Sequence, residues 1–395
     1  MSRALRTIDG RWLTAMIVAG YFIFLAAGRE IFHLQLWEIL GVPALPVPFH
    51  DLNDIAIGIE RFRASEHPWS EASIVYSTQA YNYTKWWLCA SYLGLDLKTV
   101  YVFGVSIGIS FFACALFVLG RLTLIEGGIA GLVLISPNVM TAIERANADL
   151  IVFILMTLAL ALRRSVPLFV AIITVAAFLK FYPLAALLAL VALSWRKTLF
   201  WLLVAIALVT IDLATSLGEL HQIAANVTRV GWFSYGSTTM MEGYWVTTLP
   251  GSPVTYNQIF IVGSFLFLMV VGASIWKRPH VKVNILWERE LWSFRIGAAL
   301  FVGTFALGSN LDHRTVILVF DLPLLFLLRK ESGSIALWAT AALFCIVLYT
   351  NGRLLWNDAV PLFFFLKQLT AWLLVVFFTG IFAATIDLSP IKEKS

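Results

Sequence analysis

Four short polar stretches interrupt an otherwise apolar chain, and they hold most of the side chains equipped for chemistry. The first, HDLNDIAIGIERFRASEHPW at residues 50–69, carries Asp51 and Asp54 close together. A carboxylate at a cleft can take a proton from a hydroxyl as a general base, and Asp51 leads Asp54 for that role. Asp51 fits a second role equally: the N-cap of a helix, with Asp54 at N3 favoured by the helix dipole. Both readings stay open. Glu60 and Glu66 fall later in the stretch and read as solvated charges. The second stretch, NVMTAIERANADL, brings Glu144, Arg145, Asn147 and Asp149 together; the third, FLKFYPL, brings Lys180; the fourth, GSNLDHRTV, brings Asn310, Asp312, His313 and Arg314. Taken singly, each is equally well a polar turn whose cation reaches lipid headgroups.

The elements that position these residues follow from the solvent the chain requires. Of its 395 residues, 60% are hydrophobic and only 13% charged. About a quarter charged is usual for a soluble domain, so this is a polytopic membrane protein. Fifteen Trp and thirty Phe suit the same solvent, since aromatics gather at headgroup level. A net charge of +5 raises nucleic acid as a partner. The basic residues instead form small clusters between apolar runs, which is the positive-inside pattern, and this excludes nucleic acid. Cys89, Cys114 and Cys345 have no metal-site spacing; Cys114 and Cys345 fall inside apolar runs and read as packing residues. The N-terminal stretch has a basic start but no small-residue cleavage site before Arg29, and reads as a retained first helix.

Apolar runs begin near Trp12, Thr99, Leu122, Ala148, Val166, Leu184, Thr198, Asn257, Phe294, Thr315, Ile335 and Leu362. This predicts an all-α single membrane domain of about twelve transmembrane helices. Arg3, Arg6 and Arg11 place the N-terminus in the cytoplasm. In alternation, Arg121, Arg163 with Arg164, Arg196 with Lys197, Lys277 with Arg278 and Lys282, Arg329 with Lys330, and Lys392 with Lys394 then fall inside. Arg145, Lys180, Arg229, Arg314 and Arg353 fall outside.

Two outer segments are long, at about 29–98 and about 218–256. In the first, the prolines of IFHLQLWEILGVPALPVPF forbid a continuous helix. Beyond it, Leu52, Ile55, Ile59 and Phe62 recur on one helical face, and Asp51, Asp54, Gly58 and Arg61 on the other. YNYTKWWLCASYLGL suits an interfacial helix. Arg145, Lys180, His313 and Arg314 then share the outer boundary, where positive-inside bias disfavours cations. Together they suit a lipid-borne phosphate, Arg by bidentate contact and Lys as a point charge.

Asp212 and Asp321 lie within apolar runs, where acids are functional candidates by default, although Asp321 also fits a helix break before Leu-Pro. Lys367 is expected to snorkel outward. There is no Walker loop, dinucleotide fingerprint, HExxH or nucleophile elbow. The sequons at Asn82 and Asn226 fall on the outer side.

HDLNDI, YNYTKWW, ERANAD and NLDHR together resemble the GT-C superfamily of integral membrane glycosyltransferases, and most closely the family 87 type, which is polyprenyl-phosphate-sugar dependent and mannosyltransferase-like. The family often has Asn-Tyr-Pro where this chain has Asn82-Tyr83-Thr84. It often has Glu-Arg-Gly-Asn where this chain has Glu144-Arg145-Ala146-Asn147, and Tyr-Arg in place of His313-Arg314. The resemblance implies an inverting transfer of a hexose or pentose from a polyprenyl phosphate to an acceptor hydroxyl of a lipid or cell-envelope glycan. The setting would be the outer, periplasmic face of a bacterial plasma membrane. Asp51 would be the base, with Asp54 as its alternate; Arg145, Lys180, His313 and Arg314 would hold the phosphate, with Glu144, Asn147, Asn310, Asp312 and Asn82 lining the substrate site. The scheme asks for no cofactor and no metal. Its partners are the lipid-linked donor, the acceptor and membrane lipids. Two other classes fit the span count: a membrane transporter or flippase, and a lipid-linked glycan polymerase or ligase.

Overall fold

Helix is the expected answer to an apolar solvent, because it satisfies every backbone donor and acceptor within one segment. The computed structural model describes residues 9–69, 81–192, 195–226, 234–241, 256–277, 287–308, 310–332, 338–343 and 360–386. It is 82% helix with almost no strand. The positively charged positions Arg3, Arg6, Arg229, Arg278, Lys282, Arg353, Lys392 and Lys394, and also Cys345, lie outside the described residues.

Helix α1 (Arg11–Ile39) runs further than expected. The chain was expected to leave the helix near Arg29, but nothing before Gly41 breaks it; Gly41 takes a left-handed φ of 81°, and Pro43, Pro46 and Pro48 follow. The first connecting segment therefore begins at Leu40. It leads to α2 (His50–Arg63), which buries Leu52, Ile55, Ala56, Gly58 and Ile59. Two assignments of the helical pattern are corrected here. Gly58 belongs to the buried face, where a Cβ would come within 2.4 Å of the Tyr81 ring, and Phe62 is 56% exposed. A 3₁₀ segment, Lys85–Leu93, packs on α2 through Trp87 and Leu88 while Tyr92 and Leu93 remain exposed.

Then follow α3 (Val100–Leu119), α4 (Leu124–Leu134), α5 (Pro137–Arg145), α6 (Ala148–Ala161), α7 (Val166–Leu179) and a 3₁₀ segment, Tyr182–Ala192. Next come α8 (Trp195–Thr215), α9 (Leu217–Asn226), β1 (Ser234–Tyr235), α10 (Tyr256–Trp276), α11 (Glu288–Ala306) and β2 (Asn310–Leu311). A 3₁₀ segment (Asp312–Phe320), α12 (Leu322–Ser332) and α13 (Val360–Ile386) complete the order. Where twelve crossings were expected, five of these helices are long and apolar enough to cross a membrane, or six if the α4–α5 pair is one bent span. Among the described residues part of the difference has a local cause, while the run expected from Ile335 begins outside them. Pro137 opens α5 immediately after α4, and the two meet at 52°. Such a proline suits a helix's first turn but cannot continue the preceding one. Pro183 follows the end of α7, where the backbone turns extended at Lys180. The runs expected at Ala148, Val166 and Leu184 are accordingly short, at Ala148–Ala161, Val166–Leu179 and Tyr182–Val191.

The outer helices expose Ile23, Ile109, Leu203, Ile261 and Met269, the pattern of surfaces that face hydrocarbon. Helix α11 is the opposite: residues 291–301 are all buried, and it packs against Tyr182–Ala192, Asp312–Phe320 and α13. The apolar run that begins at Phe294 forms the buried centre of the bundle. This explains how Arg295 is tolerated there, donating to the Oγ1 and carbonyl of Thr385. A second departure from a purely helical fold is a two-residue antiparallel pairing of β1 with β2, Ser234 opposite Leu311 and Tyr235 opposite Asn310.

Helices α1 and α4 meet backbone to backbone. Gly10 N–H donates to the Leu122 carbonyl at 2.7 Å, and Thr14 Oγ1 donates to the Gly127 carbonyl at 2.8 Å. A Cβ at Gly127 would sit 2.1 Å from the Gly10 carbonyl oxygen, whereas one at Gly128 meets only a Leu13 methyl at 3.8 Å. Gly127→Ala should therefore force the helices apart and cost about 1–3 kcal/mol. Its thermal midpoint in detergent should fall while Gly128→Ala stays at the wild-type value.

Candidate functional site

Two helix breaks and one strand end converge on Asp149. Helix α5 closes at Ala146, whose φ of 45° is left-handed, with the Ala146 and Asn147 N–H groups returning to the carbonyls of Ile143 and Ala142. Asn147 then caps α6, its Oδ1 accepting from the Asp149 N–H at 2.8 Å, which puts Asp149 in the first turn at the positive end of the helix. The Asp149 side chain is fully buried. Lys180 Nζ lies 2.6 Å from Oδ1, and the Tyr182 hydroxyl donates to the same oxygen at 2.9 Å. On the other oxygen, His313 Nε2 stands at 3.3 Å and Arg314 Nε at 3.8 Å. The break in FLKFYPL is what aims both Lys180 and Tyr182 at this carboxylate.

Arg314 is held from two further sides. Its guanidinium lies over the Tyr182 ring, 5.3 Å from the centroid, and Nη1 donates to Asn310 Oδ1. Asn310 in turn donates through Nδ2 to the Thr304 carbonyl. Two cations and a histidine thus surround Asp149, one positive charge more than that acid carries before Asp51 is counted. Asp149 is sealed, but the Lys180 and Arg314 side chains remain 16% and 26% exposed. The geometry suits an anion better than a cation.

Asp51 joins this cluster through Asn147, whose Nδ2 donates to Asp51 Oδ2. Asn147 also faces Lys180, with Oδ1 3.4 Å from Nζ. The N-cap reading of Asp51 is set aside. The cap position of α2 is Phe49, in a left-handed conformation at φ 55°, and Asp51 lies inside the first turn. Phe49 is fixed there by its N–H on the Glu144 carbonyl at 2.9 Å and by its ring against Gly104. Left-handed backbone at a non-glycine residue is costly and persists only where its surroundings enforce it. Here it occurs on both sides of the Asp51–Asn147 contact. Asp54 stands one turn further along, 3.9 Å from His50 Nδ1. Tyr83 lies close enough to feel both acids. Burial chiefly, then the charges of Asp51 and Asp54, push its phenol well above its ordinary range, so it remains a hydroxyl.

The other expected site residues divide. Lys180, His313, Arg314, Asn147 and Asn310 come together as described. Glu144 serves the scaffold: Oε1 accepts from the Leu45 N–H at 3.1 Å, and its carbonyl holds Phe49. Arg145 ends α5, and its buried Nε meets no hydrogen-bond partner among the described residues. Asn82 is half-buried between Tyr81 and Tyr83 and takes part in none of the contacts that build the cluster. Asp312 faces away from Asp149, toward Lys367 at 2.6 Å. The expectation that Lys367 snorkels outward is therefore wrong: its side chain is buried, because a carboxylate is available inside the bundle. Asp212 pins the 3₁₀ segment after Thr84, accepting from Trp86 Nε1 at 3.0 Å beside Lys85 at 3.4 Å. Asp321 is buried against Gly297, and neither of its oxygens has a hydrogen-bond partner among the described residues. Cys114, expected as a packing residue, is half-buried against the core. No group of three or more His, Cys, Asp or Glu side chains suited to a metal occurs among the described residues. The residue that sequence reasoning passed over is Asp149, visible in ERANAD but ranked below its basic neighbours. The cue was an acid two residues beyond an Asn able to cap a helix.

Comparison of the chain with protein-family models, with curated proteins and with solved structures finds no match.

Breaking a buried ion pair from one side leaves an uncompensated charge and typically costs about 3–5 kcal/mol. Asp149→Asn should fall in that range, reduced by the partial exposure of Lys180 and Arg314. Asp54→Asn should stay within about 1 kcal/mol. Thermal unfolding in detergent reads both.

Proposed function

We propose that this chain is an inverting membrane glycosyltransferase of the GT-C type, moving a sugar from a polyprenyl-phosphate donor to an acceptor hydroxyl. The observation that carries the reading is the hydrogen-bonded path from Asp51 through Asn147 to the Asp149 cluster, with its surplus of positive charge. It sets a carboxylate whose bonded partner is a neutral amide beside cations with exposed surface. In the proposed step Asp51 takes the acceptor proton. The acceptor oxygen bonds to the anomeric carbon from the face opposite the phosphate. The bond from that carbon to the phosphate oxygen breaks, and its electron pair stays on the phosphate, where Lys180, Arg314 and His313 stabilise it. One base and a good leaving group suffice, unlike the paired carboxylates of glycosidases. Asp149 is unsuited as the base because its charge is already spent on its neighbours, whereas Asp51 is bonded directly to Asn147 at the edge of the cluster.

The family pattern lends support at one point. It has glycine where Ala146 stands, and the left-handed backbone at that position is the conformation glycine favours. The arrangement of about twelve spans, with the site on the outer face of a bacterial plasma membrane, belongs to the same proposal.

One observation favours a carrier instead. The bent α4–α5 pair and the stop at Lys180 are helix breaks around buried charge, which is how transporters build substrate sites. Purified protein in liposomes with labelled polyprenyl-phosphate sugars and candidate acceptors separates the two. Wild type should transfer sugar with inversion, and Asp51→Asn should lower kcat by about 10²–10⁴-fold, the usual contribution of a general base. Unchanged transfer in Asp51→Asn would move the base elsewhere. Solute uptake without any donor turnover would replace the enzyme reading with the carrier.

A further inference from the structure

The buried pair of Lys367 and Asp312 touches neither Asp51 nor Asp149, yet it sits one residue before His313. Lys367 Nζ is 2.6 Å from Asp312 Oδ2, and the two side chains are 4% and 6% exposed. A pair so deeply buried is not explained by stability, because desolvation cancels much of the attraction and apolar residues of similar volume often serve as well or better. Its neighbours suggest what it does. The next residue on α13, Gln368, donates to the Ser234 carbonyl at 2.7 Å, and Ser234 lies opposite Leu311 in the β1–β2 ladder. Asn310 is bonded to the carbonyl of Thr304 near the end of α11, and Tyr235 shares a 3.0 Å hydrogen bond with Thr304 Oγ1. On the far side, Thr315 Oγ1 donates to the Asp312 carbonyl at 2.7 Å and accepts from Asn138 Nδ2 at 3.1 Å. Residues 310, 311, 312 and 315 are thus each tied to another part of the bundle or to one another. The two between them, His313 and Arg314, are the ones whose side chains reach Asp149.

We infer that Lys367 and Asp312 are positioning residues that fix where His313 and Arg314 stand against Asp149, an inference that rests on reading that cluster as the phosphate site. Helix α13 then takes part in the chemistry without touching substrate. Changing Lys367 alone would strand a buried carboxylate, so the test uses Asp312→Asn/Lys367→Met, which removes both charges, and Asp312→Glu, which keeps both but shifts the pair by one methylene. The first readout is independent of turnover: carbethoxylation of His313, followed by peptide mass spectrometry and normalised to the exposed His221. His313 should react about tenfold faster in the double variant and measurably faster in Asp312→Glu, and Lys367→Arg should stay near wild type. In the transfer assay, kcat should fall about 10–100-fold in the double variant with the acceptor KM unchanged, the size expected of a displacement near 1 Å. Wild-type His313 reactivity in both the double variant and Asp312→Glu overturns the inference whatever the activity. If the double variant fails to fold, Asp312→Glu alone decides. Should wild type transfer no sugar while His313 reactivity still rises, the positioning role stands and the glycosyltransferase reading is what falls.

Discussion

A carboxylate buried without charge partners is among the costliest groups a bundle can hold, and Asp149 is tolerated because four side chains from three segments converge on it. That convergence dictates much of the surrounding fold. Lys180 must leave its helix to reach the acid, so α7 stops short. Tyr182 must begin the following 3₁₀ segment beside it. His313 and Arg314 must arrive from a stretch distant in sequence, so β2 is anchored to β1, which α13 holds through Gln368. Local irregularity at these places is the cost of assembling one charged centre inside an apolar chain.

The irregular backbone sits where a membrane protein can accommodate it. Lipid cannot satisfy exposed N–H and C=O groups, so broken helices must be lined by protein or face a wet cavity. The breaks at Pro137, Lys180 and Asn310 all adjoin buried polar side chains. By contrast, α3, α8 and α10, which expose apolar residues, run without interruption for 20 or more residues. Continuity on the outside and interruption on the inside divide the labour between spanning and site-building. The left-handed residues Phe49 and Ala146 carry the same logic to a finer scale, since they orient the neighbours of Asp51 and of Asn147 at some cost in backbone strain.

Asp51 and Asp149 illustrate how environment separates two carboxylates in one site. Both lie in the first turn of a helix and both touch Asn147. Asp149 is ringed by cations and sealed, so its charge is structural. Asp51 has an amide for a bonded partner and is only half-buried, which is what the proposed base role asks of it. Spacing along the chain could rank neither above the other, because in both cases the deciding partners are contributed by distant segments.

What the order of residues determines by itself is the solvent, the helical class and the list of polar groups that could matter. Composition decides the first, since no packing can hide so many apolar side chains from water. Periodicity and proline positions decide much of the second, including the amphipathic face of α2 through Leu52, Ile55 and Ile59. The same signals misled where only local information was in play. Lys367 reads as a snorkelling cation until Asp312 is found beside it, and Gly58 reads as polar-faced until Tyr81 is packed on it. Only tertiary structure decides which polar groups meet. The contacts that define the site join residues 51 to 147, 149 to 313 and 312 to 367, and energies of that kind depend on distance and burial, neither of which the linear chain encodes in any short window.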